Sequence, residues 1–222
     1  MGIDRMWVHL WRDWSTDREE VVNTITHGLG WLLSLIGAVV LLVRLGGTEW
    51  LVDAGCLVYV ATLVGVYGMS TLSHACVAPS RKQWFEMLDQ AFIYLLIVGT
   101  YTPFSLKYFH SPFAWLLLTV MWGLAWYGFF SKMARGNQVQ RASLWLHLLL
   151  GWMPVIMVPA WLAAIPPVAI AGVVVGGVFY TVGTIFLVFD GRVPHFHALW
   201  HLFVIAGSAT HYAIVLIYVV GV

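Results

Sequence analysis

The chain has 222 residues, of which 61% are hydrophobic and 9% charged, with 11 Lys and Arg against 10 Asp and Glu and a net charge of +1. A soluble globular domain carries roughly 25% charged residues, so this chain has too little charge to clothe a water-facing surface, and its balance of signs offers no basic face for nucleic acid. A soluble enzyme, a disordered chain and a nucleic-acid binder are excluded, and an integral membrane protein is what remains.

The N-terminal stretch carries Asp4, Arg5, Arg12, Asp13, Asp17, Arg18, Glu19 and Glu20 among Trp7, Trp11 and Trp14. Charge ahead of the first apolar run is not the pattern of a signal peptide. Residues 1–19 are therefore expected to form a cytoplasmic amphipathic segment along the membrane surface, ahead of a single transmembrane domain over 20–222. A helix needs about 20 mostly apolar residues to cross the hydrocarbon, and seven such runs follow: Val21–Leu45, Leu51–Val77, Phe85–Leu106, Pro112–Phe130, Ala142–Trp161, Pro167–Phe189 and Ala198–Val222. Asp53 and Asp89 make the second and third less clean than the rest. No apolar/polar alternation suggests an outer-membrane barrel. The fold class predicted is all-α, a polytopic seven-transmembrane helix bundle.

Within the runs, Pro154 and Pro159 predict a kink in the fifth, and Pro103 another near the outer end of the third. Gly172 and Gly176 give a G-x-x-x-G spacing that lets two helices approach closely, within the bundle or at a dimer face. Trp50, Trp84, Tyr108 and Trp161 read as interfacial anchors. Cys56 and Cys76 lie near opposite ends of one helix, about 30 Å apart, too far for a disulfide; both are expected to be small buried residues.

Basic residues set the orientation. Arg5, Arg12, Arg18, Arg81, Lys82, Lys132, Arg135, Arg141 and Arg192 fall on one side of a seven-span arrangement, and only Arg44 and Lys107 on the other. The N-terminus is thus expected in the cytoplasm and the C-terminus outside.

The informative residues are ionisable groups at membrane depth, which are costly there and tend to face the bundle interior with a partner. His197 and His201, in HALWH, are four apart and project from one helix face. That spacing grips a metal; it equally suits interhelical hydrogen bonding. Topology adds to it. His74 near the end of the second run, Asp89 one turn into the third, and His197 with His201 at the start of the seventh all fall at one depth near the cytoplasmic face. Three imidazoles with one carboxylate or water suit zinc, in the open pattern of catalytic sites. Glu20, Asn23 and His27 share a face of the first run, either lining the site and supporting its ligands or forming a helix-start packing network. His211 lies roughly 15 Å deeper than His201 and is expected to bond a neighbouring helix. His195 points away from His197, His147 reads as interfacial, and His9 and His110 as exposed.

The same segments carry a resemblance. The first run reads EEVVNTITHGLG, the second STLSHA, the third FEMLDQAFIYLLIVGTYTPF and the seventh HFHALWHLFVIAGSATHY. Their ordered E-x2-N-x3-H, S-x3-H, D and H-x3-H motifs resemble the haemolysin III branch of the progestin and adiponectin receptor (PAQR) family over nearly the whole chain. The resemblance implies a seven-helix bundle with an intramembrane zinc near the cytoplasmic leaflet. Its zinc ligands fall on His74, His197 and His201, its aspartate, bound directly or through water, on Asp89, and its serine on Ser70. The superfamily is similar to alkaline ceramidases, and the bacterial members have been linked to lipid homeostasis. The expected function is an intramembrane zinc-dependent hydrolase, in the plasma (bacterial inner) membrane, acting on a lipid amide or ester. In that reading zinc-bound water attacks a membrane lipid as substrate, with Asp89 and Ser70 as catalytic groups. The alternatives are a non-catalytic sensor or regulator with a structural zinc site and, less well supported by the one-ended clustering of polar groups, a pore-forming haemolysin.

Overall fold

A computed structural model describes the backbone of residues 3–46, 49–135 and 140–221, and the side chains of residues 18–46, 49–134 and 144–221. The amphipathic character expected for residues 1–19, with Trp7, Trp11 and Trp14, and the placement of His9 rest on side chains outside the described residues.

The described chain is all-helical: α1 (Ile3–Arg44), α2 (Trp50–Ala75), α3 (Pro79–Tyr108), α4 (Pro112–Arg135), α5 (Gln140–Trp152), α6 (Val158–Ala164), α7 (Pro167–Phe189) and α8 (Phe196–Ile214). Pro79, Pro112 and Pro167 each open a helix at its first residue, where the missing N–H removes no intrahelical bond. The expected kink at Pro154 and Pro159 is a full interruption. A 3₁₀ segment, Met153–Met157, separates α5 from α6, because proline cannot donate to the carbonyl one turn back. Pro103, by contrast, sits inside α3 without ending it. The last helix continues as a π-helical segment, Val215–Val220, closed by Gly221 at φ 89°, a left-handed position that glycine tolerates.

Among the described residues, six helical stretches are long and apolar enough to cross a membrane: Arg18–Arg44, Trp50–Ala75, Pro112–Ala134, Leu144–Ala164, Pro167–Phe189 and Phe196–Val220. They mark a membrane-embedded protein. The third expected span is a helix too, but α3 is not among the six; its first three turns carry Arg81, Lys82, Glu86 and Asp89. Threonines inside the apolar helices satisfy their hydroxyls on carbonyls one turn back, as Thr71 does on Tyr67 and Thr102 on Val98, the only partners such a helix offers in hydrocarbon.

α2 packs between α1 and α3, α4 lies against α3, and α8 fills the space between α7 and α1. Gly172 and Gly176 make an intramolecular contact, facing Ile214 and the His211 ring of α8. His211 bonds the Val173 carbonyl at 2.9 Å, the neighbouring-helix partner expected of it. Trp50 and Trp84 are exposed as interfacial anchors should be, but Trp161 is buried, because the break before α6 turns it into the core. Tyr108 is tied down by its hydroxyl, which donates to the Tyr218 carbonyl. Cys56 is buried and Cys76 half-exposed, both free.

Candidate metal centre

The end of α2, the start of α3, the start of α8 and the stretch of α1 around residue 20 meet at one end of the bundle. One ligand atom from each of His74, His197 and His201 lies within 4.8 Å of the others. The three rings face one another edge-on, at centroid distances of 5.0 Å (His74–His197), 5.1 Å (His74–His201) and 4.6 Å (His197–His201). His201 is fully buried and the other two half-buried.

Each imidazole is held from behind by a different residue, two of them on α1 and one at the end of α7. His74 Nδ1–H donates to Glu20 Oε2 at 2.7 Å, and Lys82 Nζ donates to the other oxygen of that carboxylate, also at 2.7 Å. His197 Nδ1–H donates to Asp190 Oδ2 at 2.9 Å. His201 Nδ1 lies 2.9 Å from Thr26 Oγ1. The Thr26 hydroxyl already donates to the Val22 and Asn23 carbonyls, at 2.9 and 3.0 Å, so it accepts from His201. All three rings therefore carry their proton on Nδ1 and keep the Nε2 lone pair free. A metal-binding histidine needs that tautomer, and carboxylates in this position raise its basicity. The donor set thus fits a divalent transition metal on chemistry as well as proximity.

Asp89 stands outside the close trio, near enough to His197 to feel its charge and hydrogen-bonded to Ser70. Ser70 Oγ is also 2.6 Å from His27 Nδ1. A carboxylate only accepts, so Ser70 donates to Asp89 and accepts from His27 Nδ1–H. His27 stacks on His201 with ring centroids 3.4 Å apart; its Nε2 is buried without a partner. Of the three polar residues on the first face of α1, Glu20 and His27 reach ligand-bearing elements through side-chain bonds, and Asn23 is buried beside them.

Two contributors were not singled out from sequence. Asp190 sits at the C-terminal end of α7, seven residues before His197; an acidic residue in the short connection ahead of H-x3-H was the available signal. Thr26 reads as one more threonine in an apolar helix, and nothing in its spacing marks it. His195 is exposed at the start of α8 with φ 62° and donates its backbone N–H to Glu19; as expected, it is not in the trio. His110 is exposed. His147 faces inward from α5: it packs against the Tyr94 ring at 4.0 Å with Nε2 buried.

The family model described as haemolysin-III related matches residues 16–212. The chain is 36% identical to Hemolysin-3 of Bacillus cereus over 204 residues, covering 91% of this chain and 92% of that protein. It is 35% identical to the Hemolysin-3 homolog of Bacillus subtilis (strain 168) over 209 residues, covering 93% and 97%. A more distant likeness, 26% over 201 residues covering 87% and 82%, is to the human monocyte to macrophage differentiation factor. With a family model spanning the helices that build the histidine trio, and relatives matched over nearly their whole length, the chain belongs to the haemolysin-III related family, within the PAQR family that its motifs resemble.

Proposed function

We propose that the chain is an intramembrane zinc-dependent hydrolase that cleaves an amide or ester of a membrane lipid, as part of membrane-lipid homeostasis in the bacterial inner membrane. The observation that carries this reading is the pinning of all three Nδ1 atoms by Glu20, Asp190 and Thr26, which leaves three lone pairs converging beside an Asp–Ser pair. In this reading α3 is the seventh crossing. Its 30 residues measure about 45 Å, and it lies along α2 and α4. The segregation of basic residues supports a cytoplasmic N-terminus, with the trio near the cytoplasmic leaflet.

His74, His197 and His201 would hold the ion. Zinc bound there would supply a Lewis acid that polarises a carbonyl and lowers the pKa of water to about 7. The chain's own residues do the rest. Asp89 takes up a proton at its carboxylate and returns it to the leaving group, as a general base and then acid. Ser70 fixes which carboxylate oxygen is available by donating to the other, and His27 fixes Ser70 in turn. Lys82 balances the charge of Glu20, so that carboxylate orients His74 without adding an unpaired charge at membrane depth. The site lies inside the helices, so an acyl chain reaches it laterally from the bilayer.

The test is turnover. Purified protein in mixed micelles is given a ceramide or a phospholipid ester, and fatty-acid release is followed by mass spectrometry. Release that a zinc chelator stops, and that Asp89→Asn lacks, is the expected result. Zinc-loaded protein that releases no fatty acid from either lipid class would transfer the site to the non-catalytic sensor reading.

A further inference from the structure

Away from the histidine trio, on the other side of α3, the bundle buries a second pair of polar groups. Lys132 lies in the last turn of α4, where a lysine ordinarily extends its ammonium past the hydrocarbon to water. Here the residue is 4% exposed and Nζ has no hydrogen-bond partner among the described residues. The register of α3 against α4 explains why it turns inward. Gly128, one turn before Lys132, lets the Tyr94 ring press onto the α4 backbone, where a Cβ would come within 2.7 Å of it. One turn along in the antiparallel pair, Lys132 comes level with Gln90. His147 of α5 closes the third side. It packs on Tyr94 with the two rings tilted by 40°, hydrogen-bonds the Gln90 backbone and is close enough to Lys132 to interact with its charge. Its Nε2 is also buried without a partner.

The two orphaned groups have complementary chemistry. Lys132 offers three N–H donors and a positive charge. His147 spends its proton on the Gln90 carbonyl, so Nε2 offers a lone pair. Water-filled surroundings would satisfy either group, but a lone buried ammonium calls for an anion. The depth names the source: Lys132 is in the last turn of the Pro112–Ala134 span and His147 in the first turn of Leu144–Ala164, where the phosphates of a leaflet meet the hydrocarbon. The approach is from the flank of α5, whose neighbouring residue Trp145 is 74% exposed.

We propose that Lys132 and His147 form a phospholipid headgroup site between α3, α4 and α5, in which the lipid phosphate accepts from Lys132 and a headgroup O–H or N–H donates to His147 Nε2. Phosphatidylglycerol and phosphatidylethanolamine carry such a hydrogen; phosphatidylcholine does not. The site does not depend on the hydrolase reading, since Asp89 leaves α3 on a different side from the Gln90 contact, about 100° round the helix.

Native mass spectrometry of the full chain, delipidated in detergent and titrated with phosphatidylglycerol, phosphatidylcholine or inorganic phosphate, tests this. The wild type is expected to take up one phosphatidylglycerol at least tenfold more tightly than Lys132→Met does, with Lys132→Arg close to wild type and metal content equal in all three. It should prefer phosphatidylglycerol over phosphatidylcholine, and His147→Phe, which keeps the ring on Tyr94, should erase that preference. Failure of inorganic phosphate to displace the lipid would confirm a lipid source; displacement by millimolar phosphate would overturn it in favour of a free-phosphate site. Equal phosphatidylglycerol binding by wild type and Lys132→Met would overturn the site. So would a wild type that takes up no phosphatidylglycerol, a result that stands even if Lys132→Met does not fold.

Discussion

Glu20 of α1 accepts the Nδ1–H of His74 of α2 at 2.7 Å, joining the start of the first membrane span to the end of the second. The same carboxylate accepts from Lys82 at the start of α3, so one acidic side chain fastens three helices where the candidate metal centre lies. Asp190 does for His197, and Thr26 for His201, what Glu20 does for His74.

Loss of charge behind a ligand should show first in metal affinity. Glu20→Gln and Asp190→Asn keep the shape of the acceptor but not its charge, and each is expected to weaken zinc binding about 10–100-fold. Competition against a chromophoric chelator in detergent measures it. Unchanged affinity in both variants would mean that the carboxylates do not tune the ligands.

Thr26→Val removes one of the two acceptors of the buried His201 imidazole, the other being the Asn23 backbone carbonyl. The expected cost is about 0.5–1.5 kcal/mol of stability in the metal-free protein, the net worth of one hydrogen bond, read as a lower thermal midpoint, and Thr26→Ser should recover most of it. A Thr26→Val protein as stable as wild type would show that the Asn23 carbonyl satisfies the imidazole by itself.

The path from sequence to site was uneven, for physical reasons. Apolar run length located the spans because the hydrocarbon sets a minimum length, and Pro167–Phe189 came out to the residue. α3 was the harder case: its polar first turns carry Arg81, Lys82, Glu86 and Asp89, and the residues that serve the site are the ones that dilute the apolar signal. The convergence of His74, His197 and His201 was legible because helix direction alone brings His74, on one helix, to the depth of the His197–His201 pair on another. Asp190 and Thr26 were not, since a hydrogen bond from a connection or from one threonine among many has no period. Lys132 misled in the opposite direction. A lysine one turn from a helix end ordinarily counts as a loop charge, and only the close approach of α3 at Gly128 shows that it is enclosed.

Ser70 and Asp89 should separate metal binding from chemistry. Both lie outside the close trio, so Asp89→Asn and Ser70→Ala are expected to retain zinc. Turnover of a lipid amide or ester should fall about 10²–10⁴-fold in Asp89→Asn, the usual worth of a positioned acid–base group. In Ser70→Ala it should fall about tenfold to a hundredfold, as for a lost hydrogen bond to a charged group. Loss of zinc from Ser70→Ala would make its role structural.

The contact of α7 with α8 gives a prediction independent of the metal. A methyl group at Gly176 would run into the His211 ring, which is held by the Val173 carbonyl and cannot swing away without breaking that bond. Gly176→Ala is expected to cost about 1–3 kcal/mol, the usual penalty of overpacking. Gly177→Ala, whose nearest neighbour would be Trp152 at 3.9 Å, should be neutral or slightly stabilising. Thermal unfolding of the two variants side by side decides it; equal midpoints would contradict the packing described here.

Metal content of detergent-purified protein, measured by inorganic mass spectrometry beside His197→Ala/His201→Ala and Asp89→Ala, bears most directly on the whole account. About one zinc per chain in the wild type is predicted, absent from the double-histidine variant and retained in Asp89→Ala. Wild-type protein that carries no metal when purified without chelator, or zinc that survives the loss of both histidines, would contradict it.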